Sequence, residues 1–184
     1  MAITRLNNNS ITSITALPSG CTSASGLSFG ITMADQWRLT SDKSGLSGVQ
    51  DITANLAQVS GGGFNNIGSS MTESSGIFSF PVTGIYLITF QAFFERTSGS
   101  ANYMAVNILT TTNNSSYGSR SEGGETLRDD SSSMGSISIS FVFDVEDVTT
   151  HKCKFRTDVS DAQTLKGAST ANKTCFTFIR LGDT

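Results

Sequence analysis

Hydrophobic residues fall along this chain in short alternating runs, separated by clusters of glycine, serine, threonine and asparagine. Such a period of two belongs to strands that rest one face on a core. Residues 137–145 carry it most clearly, with Ile137, Ile139, Phe141, Phe143 and Val145 set against serines, Val142 and Asp144. Residues 149–157 repeat it, placing His151, Cys153 and Phe155 on one face and Lys152, Lys154 and Arg156 on the other. Residues 103–109 and 173–181 are further strands. Residues 85–94 differ, because Ile85, Tyr86, Leu87, Ile88, Phe90, Ala92, Phe93 and Phe94 make them apolar on both faces. A strand of that kind needs cover on both sides. An opposing sheet supplies one cover, and a partner chain or a loop the other.

A fixed corner precedes that strand. Residues 77–80 alternate as a short strand, Pro81 ends it for want of an N–H, and Gly84 permits a positive φ before pairing resumes. Trp37 to Thr40 is the clearest part of a β region spanning residues 27–40, and Trp37 is expected in packing rather than ligand stacking. Residues 52–59 read as an edge strand, with a short helix as the alternative. Residues 42–48 and 158–172 predict loops, and 110–134 an exposed loop or β-excursion. Gly61, Gly62 and Gly63 form a triplet with no lysine after it and no strand-to-helix transition around it, which excludes a phosphate loop.

Composition narrows the class. Glycine is abundant at 18 residues and charged residues reach only 15% of the 184, too few for a disordered chain. The expectation is one all-β domain over residues 26–184, preceded by a polar arm over residues 1–25. Ile3, Leu6, Ile11, Ile14 and Leu17 dot the arm at a spacing suited to an extended peptide that drops single apolar side chains into pockets on a neighbour. It is the candidate attachment segment. A net charge of −3 offers no electrostatic footprint for nucleic acid or an anionic membrane. The first residues lack a basic start followed by an apolar run, so synthesis in a cytoplasm is expected. Cys21, Cys153 and Cys175 show no Cys-x-x-Cys spacing. Cys153 and Cys175 both fall in strands that can lie side by side, and are expected as buried free thiols.

The order Gly76, Phe78, Phe80, Pro81, Gly84, Tyr86 and Phe90 resembles the globular head of the complement first-component q subunit and its relatives, the tumour necrosis factor-like trimers. An acidic turn around Asp144 to Val148 and an aromatic final strand from Thr174 to Leu181 continue the likeness over residues 35–181. The resemblance implies an antiparallel jelly-roll sandwich of ten strands assembled as a tight homotrimer. Phe78, Phe80, Tyr86, Ile88, Phe90, Phe176 and Phe178 are then its candidates for the trimer interface or core. No collagen-like stalk accompanies the head. Arg5 to Thr15, Trp37 to Thr40 and Met71 to Phe78 also resemble virion surface proteins of marine bacteriophages, cyanophages included.

Catalytic patterns are absent. The single histidine, His151, sits in a strand, and no Gly-x-Ser-x-Gly elbow occurs. Glu122, Glu125, Asp129 and Asp130 cluster in a predicted loop, where calcium is conceivable although no EF-hand spacing is present. Paired carboxylates of a glycan hydrolase would have to come from the same four residues. The expected function is non-enzymatic and free of cofactors. It is a bacteriophage virion protein made in the host cytoplasm, decorating the capsid as a homotrimer docked through its arm. The alternatives are a tail-fibre head binding host surface glycans through residues 110–134 and 158–172, and a lectin-like secreted trimer.

Overall fold

A computed structural model describes residues 30–96, 103–128, 130 and 133–184. The arm candidates Ile3, Leu6, Ile11, Ile14 and Leu17 lie outside the described residues, as do Cys21 and Asp129. Eleven strands follow one another without a helix among the described residues: β1 (Met33–Leu39), β2 (Lys43–Asp51), β3 (Leu56–Gln58), β4 (Thr72–Ser74), β5 (Ile77–Ser79), β6 (Gly84–Arg96), β7 (Met104–Thr111), β8 (Gly118–Glu125), β9 (Met134–Val145), β10 (Lys152–Leu165) and β11 (Cys175–Gly182). The pairings among them are antiparallel. One wall runs β3–β1–β11–β6–β9. In the other, β10 pairs with β7 on one side and with β2 and β5 on the other, while β8 lies beyond β7 and β4 beyond β5. The walls meet where β11 stops opposite Gln91, because Gln163, Thr164 and Leu165 of β10 there take up pairing with Arg96, Glu95 and Phe94 of β6.

Alternation puts Tyr86, Ile88, Phe90, Ala92 and Phe94 of β6 wholly inside. Phe176 and Phe178 of β11 join them from the same wall, and Val106, Ile108, Cys153 and Phe155 face them from the other. Between the walls the rings form one cluster: Phe155 and Phe176 are 4.3 Å apart by centroid, and Phe90 stacks on Phe176 at 5.0 Å. Aromatic pairs of this geometry add stability beyond the area they bury.

The corner that heads the likeness keeps its predicted shape. β5 ends before Phe80 and Pro81, and the Tyr86 hydroxyl donates 2.8 Å to the Val82 carbonyl, tying the turn to the strand after it. Arg180 on β11 donates its Nε to the Thr83 carbonyl at 2.9 Å from the other side. Gly76 opens the motif with φ +83°, and a Cβ there would stand 2.2 Å from the Ile52 carbonyl oxygen. Gly76→Ala therefore combines a disfavoured φ with a backbone clash. It should lower stability by about 2–4 kcal/mol in urea denaturation. An unchanged midpoint would show that the Ile52 backbone yields freely.

Three expectations are corrected. Residues 42–48 are not a loop, since β2 starts at Lys43 and pairs with β10. Residues 158–172 are not a loop throughout, because β10 continues to Leu165. Their strands escape a hydrophobic pattern because β2 is rich in serine and glycine, and because Thr157, Gln163 and Thr164 of β10 are buried polar residues. Residues 110–134 contain β8, so the β-excursion is the form adopted. Its glycine at 123 answers a steric demand: a Cβ would lie 2.6 Å from Ile139 Cγ2 on β9. The edge strand expected over 52–59 is present as β3, three residues long. With these additions the strands among the described residues number eleven rather than ten.

Candidate assembly face and surface sites

The first wall turns one side to the core and the other outward. Register sets Ala34, Ile179, Leu87 and Val142 in a single row across β1, β11, β6 and β9, in antiphase with the buried Tyr86, Ile88 and Phe178. Val142 is 53% exposed, and Leu181 at the end of β11 is 56% exposed. The next row is Gln36, Thr177, Thr89 and Ser140, and the row after it Arg38, Cys175, Gln91 and Ser138. The middle of this face thus carries apolar and hydroxyl side chains with few charges, a composition found at the cores of protein interfaces. Gln36 Nε2 donates to Thr177 Oγ1 at 3.0 Å, which holds the hydroxyl row in place.

The residues singled out from the sequence lie on the opposite side of that wall or across from it. Phe78, Phe80, Tyr86, Ile88, Phe90, Phe176 and Phe178 are each 3% exposed or less and belong to the core of the single chain. Leu87, Val142 and Ile179 hold the outward positions instead. Their signal was present in the two-sided apolar run of residues 85–94, but only strand register decides which of its faces points inward.

The second wall presents a polar outer side. Lys154 Nζ and Arg156 Nε meet the two oxygens of Asp51 at 2.7 and 2.6 Å, and Lys154 also lies 4.6 Å from the centre of the Tyr117 ring. Partial burial pushes the Asp51 carboxyl up, but hydrogen bonds from Arg156 and Lys154 outweigh it and carry the group below the usual aspartate range. A carboxyl depressed on folding contributes stability above its unfolded pKa, near 3.9, and loses it as pH falls through the folded value. Asp51→Asn should therefore reduce the melting temperature at neutral pH and flatten its fall below about pH 4. Thermal melts across that range check this, and identical pH profiles for parent and variant would contradict it.

No protein-family model matches the chain, and no curated protein does. Solved structures do. Murine APRIL, in its crystal structure at pH 5.0, aligns with a TM-score of 0.59 at 14% identity, covering 81% of this chain and 98% of that one. The Eiger TNF protein from S. frugiperda aligns with the same TM-score of 0.59 at 11% identity, covering 84% of this chain and 96% of that one. The fold is the tumour necrosis factor-like jelly roll.

Within this jelly roll the chemically active side chains are dispersed. His151 is 6% exposed, stacks on Phe143 at 5.6 Å, and has Thr150 Oγ1 3.1 Å from its Nδ1. It is a core imidazole. Cys153 and Cys175 do not lie side by side: they belong to opposite walls and are both free thiols. Burial pushes both thiols up, with Arg38 acting in the other direction on Cys175. Glu122 accepts from Asn107 Nδ2 at 2.9 Å. Among the described residues no three His, Cys, Asp or Glu side chains gather as metal ligands. Elsewhere Lys166 spans Asp42 at 2.5 Å and Glu95 at 2.7 Å, pinning the end of β10 to neighbouring segments.

Proposed function

We propose that this chain is a non-enzymatic display head that assembles as a homotrimer through the outer face of the β3–β1–β11–β6–β9 wall. In that role it decorates a bacteriophage capsid, docked by residues 1–25. The observation that carries self-assembly is the outward row Ala34, Ile179, Leu87 and Val142 on a face of few charges. Among the described residues no third layer covers it, and copies of the same wall can. The tumour necrosis factor-like fold supports three copies about an axis, and a threefold particle site suits a trimer. The virion setting rests on the sequence likeness to phage surface proteins.

Light scattering on the whole protein should return three times the 19.4 kDa chain mass. Leu87→Glu combined with Val142→Glu should give a monomer with an unchanged circular dichroism spectrum, since both side chains point away from the core. A monomeric parent, or a trimer that keeps its mass in the double variant, would overturn this interface. Deleting residues 2–25 should leave the trimer intact and abolish its incorporation into particles. Full incorporation of the shortened chain would remove the docking role.

A further inference from the structure

Two of the three consecutive glycines, Gly61 and Gly62, share a cavity with a cation from elsewhere in the fold. A cavity of about 260 Å³ is lined by Arg38, Ser60, Gly61, Gly62, Ser169 and Thr170. Arg38 stands on the outward side of β1, opposite Cys175, and is only 8% exposed. Its Nη1 donates to the Ser169 carbonyl at 3.0 Å, and among the described residues no carboxylate pairs with it. A guanidinium has five N–H donors, and burying its charge without an anion is costly. None of its other donors is sealed in without a partner, and Arg38 lines the cavity.

The remaining lining fits the same chemistry. It contributes three hydroxyls and bare glycine backbone, and no acid. Gly61 and Gly62 have φ of +81° and +65°, and a Cβ built on either meets nothing within 4 Å. The left-handed backbone therefore keeps side chains away from the mouth. One guanidinium balances one negative charge, and its planar fork matches two oxygens of a carboxylate or sulfate ester. Ser60, Ser169 and Thr170 match the hydroxyls of the ring that bears that group. The volume lies below the usual 300–1,000 Å³ of pockets for larger organic ligands, which leaves room for about one sugar unit.

We propose that this cavity binds a singly charged oxyanion carried on a hydroxylated ring, an acidic or sulfated sugar unit, with Arg38 holding the anion. The site stands on one protomer. It lies on the wall face proposed for the trimer contact, two rows along the sheet from the Leu87 row, about 13 Å by strand rise. The titration is therefore run on the parent and on the Leu87→Glu/Val142→Glu monomer, which separates occlusion in the trimer from failure of the site.

Isothermal titration calorimetry of the full chain with glucuronate, glucose 6-sulfate and neutral glucose decides it. At least one charged sugar should bind with a dissociation constant on the order of 1 mM, and glucose should bind at least about tenfold more weakly. The stronger of the two charged sugars identifies the source of the oxyanion. Arg38→Met, which keeps the apolar stem, should weaken binding by about tenfold or more. Thr170→Val, at an exposed position where folding is not at stake, should weaken it about two- to tenfold. That variant carries the test if Arg38→Met does not fold. Equal binding of glucose and the charged sugars, binding of none of them by parent or monomer, or parent affinity in the folded Arg38→Met protein or in Thr170→Val would overturn the site.

Discussion

Phe78→Ala should destabilise the folded chain by about 3–5 kcal/mol, the range for truncating a large aromatic in a packed core. Phe78 is fully buried on β5, a strand of only three residues held by β4 and the start of β10. Its ring lies 5.4 Å from Trp37 in edge contact, 5.5 Å from Phe155, 5.8 Å from Phe176 and 5.2 Å from Phe178. Those partners come from β1, β10 and β11, so the ring is where both walls touch. Its removal leaves a void that four large rings on three strands cannot fill without moving backbone. Guanidinium denaturation followed by the fluorescence of Trp37, the single tryptophan, reads both stability and the lost contact. A loss below about 1 kcal/mol would mean that the cluster repacks and that the walls are joined elsewhere.

Asp35→Ala ranks beside it, for a different reason. Asp35 is a fully buried carboxylate on β1 with no cation among its hydrogen-bond partners. Four neutral groups donate to it: Trp37 Nε1 at 3.0 Å, the Met71 amide at 2.8 Å, Gln58 Nε2 at 2.8 Å and the Gln36 amide at 2.9 Å. One side chain thereby fixes the indole, the edge strand β3 and the approach to β4. Alanine would strand several donors away from water, each costing about 1–3 kcal/mol, so a total loss of about 3–5 kcal/mol is expected. Asp35→Asn should not restore the parent, because its NH₂ would face N–H groups in place of an acceptor. Parent-like denaturation of either variant would show that water reaches these donors and replaces the carboxylate.

Much of the sandwich was legible because its long central strands obey simple alternation. β6, β9 and β11 were visible from their apolar residues, and the corner at Gly76 to Tyr86 from its proline and glycines. β2 and the second half of β10 were hidden by chemistry rather than by weak structure. Gln163 and Thr164 are as buried as leucines, and their polar side chains erase the period on which a sequence reading depends. β8 was obscured by glycines whose cause lies on another strand, in the approach of Ile139 to Gly123. Leu87 was seen as apolar, but its outward direction follows from the pairing of β6 with β11 and β9. Arg38 gave no local sign at all. Its acceptor, the Ser169 carbonyl, is 131 positions away, and only the folded chain brings it beside Gly61 and Gly62.

β10 is shared property. Its first part pairs with β7 and β5, β2 runs beside it from Arg156 to Leu165, and its last three residues also pair with β6 in the opposite wall. The second wall cannot form while that strand is detached, and the end of β6 that it pairs with stays open, so half-folded forms retain open edges. The chain consequently gains cooperativity, with both walls lost together on unfolding, and gives up speed in folding, because strands distant in sequence must find one another before any sheet closes. During that search the exposed edges of β6 and β10 are its point of greatest exposure to mispairing with other copies.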